Sequence, residues 1–195
     1  MPRKEVHLIK GHFYHIYNRA VSDNLLFTEE ENYIFFLSKI KQYLNRSASV
    51  LAYCLLPNHY HLIVQLKDTD LPSSMQRMAL SYVVAYNKQY NRKGHLFSGK
   101  YQRIHIHNHQ YLLHLSRYIH LNPVKANIVS SAEDWEFSSY REYIGIQKPY
   151  YTDPMIILDM ICAGSISKTD EKYLEYQNFV EEWDFEFMDF KILKN

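Results

Sequence analysis

Cysteine, glycine and proline are scarce in this chain of 195 residues, at 2, 5 and 6 respectively. The two cysteines, Cys54 and Cys162, do not make the disulfide framework of a small secreted domain, so a reduced, cytoplasmic protein is expected. So little glycine and proline excludes collagen-like and low-complexity architectures. Long apolar runs are missing as well. The run 50–56 is far short of the ~18 apolar residues a membrane-spanning helix needs. The opening Met-Pro-Arg-Lys-Glu is charged and has no apolar signal core behind it, so no membrane partner is expected.

Acidic side chains are absent from one long stretch. Residues 71–130 hold no Asp or Glu but 8 Lys/Arg, 6 Tyr and 6 His. The formal net charge of +1 hides this, because residues 169–195 carry 8 Asp/Glu against 3 Lys. An acid-free basic stretch with interleaved rings suits a polyanion, with cations for phosphates and aromatics for stacked bases. A solvated basic face fits the charge equally well. The acidic tail is either a soluble extension or a screen over the basic surface.

What is present reads as mixed α and β. Aromatic and β-branched residues after Gly11 predict a strand over 13–17. Thr28 followed by Glu29, Glu30 and Glu31 predicts an N-cap with acids in the first turn of a helix over 29–45. Strands are expected over 50–56 and 59–66, joined by the Pro57-Asn58 turn. A long helix over 71–90, a loop over 92–99 and a strand over 100–107 follow. The helix over 110–121 is expected to stop before Pro123, since proline disfavours helical geometry at the preceding residue. Further helices are expected over 138–144, 154–162 and 170–183. The order β-α-β-β-α-β-α predicts an α+β fold of ferredoxin-like type, an antiparallel β-sheet with helices packed on one side. A division into a domain over 1–148 and an acidic helical extension over 149–195 is expected.

His59 and His61 flank Tyr60 on the fourth predicted element. Residues i and i+2 of a strand share a face, so the two imidazoles converge while Tyr60 turns away with Leu62 and Val64. Convergent imidazoles are good metal ligands. The same spacing occurs at His105/His107 and His107/His109, and spacing alone does not choose among the three pairs. A two-residue hairpin loop would also put Cys54 opposite His61, which opens a structural zinc reading, with core packing of the thiol as its alternative. Tyr118 and Asn122 are four residues apart and share a helix face. A phenol becomes a nucleophile only when a cation or base favours the phenolate, and Arg117, His120 or a nearby metal are candidates for that field. Tyr82, Tyr86 and Tyr90 also share a helix face and are read as packing or base-stacking residues.

Several segments in register carry a more specific signal. These are Tyr14-His15-Ile16-Tyr17-Asn18-Arg19, Leu56-Pro57-Asn58-His59-Tyr60-His61-Leu62, Gly94-His95-Leu96-Phe97-Ser98-Gly99-Lys100-Tyr101, Ser116-Arg117-Tyr118-Ile119-His120-Leu121-Asn122-Pro123-Val124-Lys125-Ala126, and the run from Trp135 to Tyr140. Over residues 12–145 the chain resembles the REP-associated tyrosine transposases, single-tyrosine enzymes of the HUH type. In that family the metal pair follows Pro-Asn, which points to His59 and His61.

The resemblance implies a metal-dependent transposase and endonuclease. It would cleave and rejoin single-stranded DNA at hairpin-forming repeats through a 5′-phosphotyrosine on Tyr118. His59, His61 and Asn122 would hold Mg2+ or Mn2+, with manganese the better match to imidazole and amide ligands. Asn18, Arg19, Arg77, Lys88, Arg92, Lys100, Arg103, Arg117 and Lys125 are the candidate DNA contacts. Tyr60 fills the middle position of the HUH triplet with a bulky ring that also carries a hydroxyl. Asn122 stands where many insertion-sequence transposases have glutamine. The working unit would be a monomer or a homodimer. A hairpin-binding module that does not cut, and the zinc-supported domain, are the alternatives.

Overall fold

The computed structural model describes residues 7–162 and 168–182. Strand β1 (Phe13–Arg19) leads to helix α1 (Glu30–Leu44), and strands β2 (Ala48–Leu56) and β3 (His59–Leu66) form a hairpin. Helix α2 (Leu71–Gln89), strand β4 (Gln102–Ile106) and helix α3 (His109–Lys125) follow. Helices α4 (Tyr140–Tyr143), α5 (Met155–Ile161) and α6 (Thr169–Glu181) complete the described chain. The strands form one antiparallel sheet in the order β2-β3-β1-β4. This is the expected ferredoxin-like arrangement.

Alternation along the strands sorts side chains between two faces. Tyr14 and Ile16 of β1 and Tyr60, Leu62 and Val64 of β3 point into a core shared with Phe36, Ile40, Met78 and Tyr82 of α1 and α2. Each fully buried Leu, Ile or Phe there contributes about 1.5–3 kcal/mol. Sequence pattern had placed the helices on one side of the sheet, and the structure differs. A second core lies on the opposite face, where Leu51, Ala52, Cys54 and Ile63 meet Leu112, Leu115 and Ile119 of α3. Ile157, Leu158, Tyr176 and Val180 of α5 and α6 continue that core. The reason is in β2 itself. Its unbroken apolar run, with a register shift between Val50 and Ala52, supplies buried residues to both faces.

Two local expectations also change. Glu29, not Thr28, caps α1, in a reciprocal capping box with Asn32. Thr28 Oγ1 instead pairs with the Tyr86 hydroxyl at 2.8 Å. Helix α3 does not stop before Pro123 but runs through it to Lys125. Pro123 gives up the backbone bond to the Ile119 carbonyl and crowds that carbonyl, and the helix continues for only two residues beyond it. That extra turn carries Asn122 and Lys125 onto the same helix as Tyr118. The predicted helix end at Trp183 and the acidic tail beyond it lie outside the described residues.

Buried polar contacts lock α3 to the C-terminal helices. His120 is fully buried, with Nδ1 2.7 Å from the Tyr176 hydroxyl and Nε2 2.7 Å from Ser139 Oγ. The Tyr176 hydroxyl also donates to Ser116 Oγ at 3.0 Å. Arg117 donates to the Phe179 carbonyl at 2.8 Å and stacks on the Phe179 ring at 4.0 Å. These contacts fix the rotation of α3 about its axis, and so decide which side chains it turns toward the sheet.

Candidate active site

The site is built where β3 begins. Pro57-Asn58 closes the hairpin in two residues, which puts His59 and His61 on the first turns of the pleat. Tyr60, Leu62 and Val64 anchor the other face in the α1/α2 core, so the strand cannot slip by one residue without burying both imidazoles there. The two histidine rings stand edge to face, with centroids 5.2 Å apart. Tyr118 reaches them from α3. Its ring meets the His61 ring at a centroid distance of 6.1 Å. Asn122, one turn later, is buried and donates from Nδ2 to the Tyr118 carbonyl at 3.1 Å. Lys125 Nζ lies 5.1 Å from the centre of the Tyr118 ring. The nucleophile candidate and the imidazole pair therefore come together within one chain, and the amide stands one helical turn along from the phenol.

Protonation is set mainly by burial. His61 is held well below the usual histidine range, first by burial and then by the neighbouring His15 and His59. Burial lowers His59 as well. Both rings are thus neutral at physiological pH, the form that ligates metal. Nδ1 of His59 lies 2.6 Å from Asn58 Oδ1, and Nδ1 of His61 lies 2.9 Å from His15 Nε2. In both cases Nε2 is the remaining ring nitrogen. Asn122 uses Nδ2 toward Tyr118, so Oδ1 is the atom it could offer a metal ion. Two imidazoles and one amide oxygen suit a divalent ion that completes its shell with water or phosphate oxygens. Burial raises the Tyr118 phenol above its ordinary value, and an Asn122 side-chain hydrogen bond opposes the rise.

An open cleft of about 860 Å³ runs in front of the imidazoles. Tyr17, Asn18, Arg19, Asn58, His59, His61, Ser98, Gly99, Lys100 and Gln102 line it. One wall is the 92–99 loop, pinned to the end of β1. Asn18 Nδ2 donates to the Gly99 carbonyl at 3.0 Å, and Ser98 N donates to the Arg19 carbonyl at 3.0 Å.

The basic residues expected at a DNA surface divide into groups. Asn18, Arg19 and Lys100 line the cleft, and Lys125 stands over Tyr118. Arg77 and Lys88 lie on α2, beyond the opposite sheet face; Arg77 is 3.4 Å from Asp70. Arg92 donates to Asn24 Oδ1 at 3.1 Å. Arg103 pairs across the sheet with Ile16, so it points to the α1/α2 side. Arg117 is 9% exposed and tied to α6, which does not leave it on an open surface.

Neither Arg117 nor His120 supplies a field at Tyr118. Both turn into the α3–α6 contact, and Lys125 is the cation beside the phenol. Tyr82 and Tyr86 are buried in the α1/α2 core, which settles them as packing residues, and the Tyr90 hydroxyl donates to Asn32 Oδ1. Cys54 does sit opposite His61 in register, but it is fully buried and makes a side-chain hydrogen bond with Ser138. Among the described residues, no group of three or more His, Cys, Asp or Glu side chains is arranged to hold a metal ion. That leaves the zinc reading without a ligand set. It also covers His105, His107 and His109; His105 pairs with Tyr14, on the face away from His61.

His15 is the residue that sequence reasoning passed over. It shares a sheet face with Tyr17 and lies diagonally across from His61 on the neighbouring strand. The signal was the alternation His15-x-Tyr17 on a strand that pairs with the histidine strand.

A model of the IS200-like transposase family matches residues 8–122, the span from just before β1 to Asn122. The chain belongs to this family. The chain is also similar to a putative REP-associated tyrosine transposase of Haemophilus influenzae, with 32% identity over 109 residues. That match covers 46% of this chain and 57% of the relative, so the chain spans little over half the length of the curated protein it resembles. In three dimensions the IS200-like chain is similar to a REP-associated tyrosine transposase solved bound to a REP hairpin. The TM-score is 0.64 at 21% identity, over 78% of this chain and 94% of that one. At that identity the likeness supports the fold. No described helix of this family member is long and apolar enough to cross a membrane.

Proposed function

We propose that the protein cleaves and rejoins single-stranded DNA at hairpin-forming repeats, with Tyr118 as the nucleophile. The observation that carries the reading is the Tyr118 ring beside His61, which itself lines a cleft with Arg19 and Lys100. The phenolic oxygen of Tyr118 attacks the scissile phosphorus, and the bond from phosphorus to the 3′ oxygen breaks. The products are a 5′-phosphotyrosine and a free 3′-hydroxyl, and attack by a 3′-hydroxyl on the phosphotyrosine reverses the step. No external energy source is needed, because one phosphodiester is exchanged for another.

His59, His61 and Asn122 would hold Mg2+ or Mn2+, which when bound supplies Lewis-acid polarisation of the phosphate and stabilises the leaving oxygen. The chain's own groups do the rest. Lys125 places positive charge beside the phenol, and Asn122 donates to it, so both favour loss of its proton. Arg19 and Lys100 on the cleft wall suit flanking phosphates. The 92–99 loop and the end of β1 fix that wall in place. Because Tyr118 and His61 meet within one chain, the reading needs no second subunit to complete the site.

The test is incubation of the full chain with single-stranded hairpin DNA and Mn2+, followed by denaturing electrophoresis. A covalent protein–DNA adduct is expected. Hairpin binding with no adduct at any metal concentration would instead favour a module that binds without cutting.

A further inference from the structure

Among the described residues His15 is the buried histidine closest to the imidazole pair. It is 3% exposed on β1, with the Tyr17 ring stacked at 4.9 Å and the His61 ring at 5.1 Å. Its Nε2 lies 2.9 Å from His61 Nδ1, while its own Nδ1 is buried with no hydrogen-bond partner among the described residues. Two neutral imidazoles share one proton across such a contact, so only two arrangements are open.

In the first, His15 Nε2–H donates to His61 Nδ1. His61 then carries its own proton on Nε2 and has no lone pair to offer the cleft. His15 Nδ1 is a bare acceptor, the cheaper kind of orphan to bury. In the second, His61 Nδ1–H donates to His15 Nε2. His61 Nε2 now presents a lone pair, and His15 carries a proton on the partnerless Nδ1. Both arrangements hold two protons and no net charge. Passage from one to the other moves the shared proton from His15 to His61, releases a proton from His61 Nε2 to solvent, and returns one to His15 Nδ1.

We propose that His15 is a positioning residue that makes His61 a switchable ligand: the pair rests with His61 Nε2 protonated and changes tautomer when a divalent cation is taken up. The inference rests on His61 being a metal ligand, as proposed above. The orphaned Nδ1 is the feature that argues for it. A contact built only to hold His61 ready would give His15 Nδ1 an acceptor, as ligating histidines and their partners ordinarily have. Here the ligating tautomer is left short of one hydrogen bond, so uptake of the cation is coupled to rearrangement of two rings. Asn58, which holds Nδ1 of His59 at 2.6 Å, gives that ring no such alternative, because an amide oxygen only accepts.

The experiment uses the full chain and two probes. Long-range nitrogen–proton NMR of the histidine rings reads the tautomers with and without Mg2+. The expected result is a His61 signal that changes from Nε2–H to Nδ1–H on Mg2+ addition, with His15 changing from Nε2–H to Nδ1–H. His61 already carrying Nδ1–H without metal would overturn the switch. Mn2+ binding, measured by titration of the free-ion resonance signal, is compared for the native chain, His15→Gln, His15→Leu and His61→Ala. His15→Leu is expected to weaken Mn2+ about 10–100-fold, the usual cost of losing a ligand's hydrogen-bond partner. His15→Gln is expected to stay within a few-fold of native, because its side-chain oxygen accepts from His61 Nδ1–H. Equal affinity for native and His15→Leu, with loss only in His61→Ala, would overturn the role of His15 alone. Equal affinity for native and His61→Ala would instead overturn the metal reading beneath it.

Discussion

Tyr118 on α3 and His61 on β3 meet edge to face, with ring centroids 6.1 Å apart and ring planes at 78°. The two residues come from different layers of the fold, and neither could reach the other unless α3 packed on the sheet face that carries the imidazoles. An apolar core holds α3 on that face, and the polar lock between α3 and α6 fixes its rotation there. The lock is therefore the first thing to perturb.

Tyr176→Phe removes the hydroxyl that satisfies His120 Nδ1 and donates to Ser116. Leaving a buried polar group unpaired costs about 1–3 kcal/mol. Urea denaturation of the variant should give a lower midpoint with an unchanged slope. An unchanged midpoint would mean that α6 is not coupled to the rest of the fold.

Acid should act through the same histidine. Burial holds His120 at about 3, below its ordinary 6.5, so the unfolded chain binds more protons between those values. Stability from this group is full above about pH 6.5 and falls as pH drops toward 3. At pH 5 the expected loss is about 2 kcal/mol, on the scale of about 1.4 kcal/mol per pH unit. His120→Gln should remove that share of the loss between pH 7 and pH 5, as read by denaturant melts at each pH, while His15, which burial also holds at about 3, keeps its own.

DNA affinity should follow the cleft charges. Arg19→Ala and Lys100→Ala should each lower the slope of log affinity against log salt by roughly 1. Arg77→Ala, on α2 and paired with Asp70, should leave the slope unchanged. A larger effect from Arg77 than from Lys100 would place the DNA on the other face of the sheet.

Removal of either imidazole should remove metal. His59→Ala should abolish saturable Mn2+ binding while leaving the melting midpoint near native, since the His59 side chain sits at the cleft and outside both cores. His61→Ala should also lose metal, but with reduced stability, because the buried His15 side chain then loses the hydrogen bond from its Nε2 to His61.

Much of this arrangement was legible in the sequence. Alternation along 59–66, anchored by Tyr60, Leu62 and Val64, fixed which way the histidine pair points. The Pro-Asn turn fixed where it begins. Tyr118 and Asn122 were placed together by helical spacing alone. What stayed hidden was tertiary. Whether α3 lies on the α1/α2 side or the opposite one depends on β2 feeding two cores through its register shift, and periodicity of α3 carries no information on that. Arg117 and His120 neighbour Tyr118 in sequence, yet they turn into the contact with α6, a partner some sixty residues away that local pattern does not announce. His15 was hidden for a related reason: its role comes from a cross-strand diagonal, and its own sequence context reads as an ordinary strand. Pro123 misled because a proline in the final turn breaks little.

The most direct measurement is the covalent adduct itself, formed on hairpin DNA with Mn2+ by the native chain and by Tyr118→Phe. The account predicts an adduct for the native chain, none for the variant, and hairpin affinities within about twofold of each other, because the hydroxyl is lost while the ring, Arg19 and Lys100 remain. An adduct of undiminished yield from Tyr118→Phe would contradict the account.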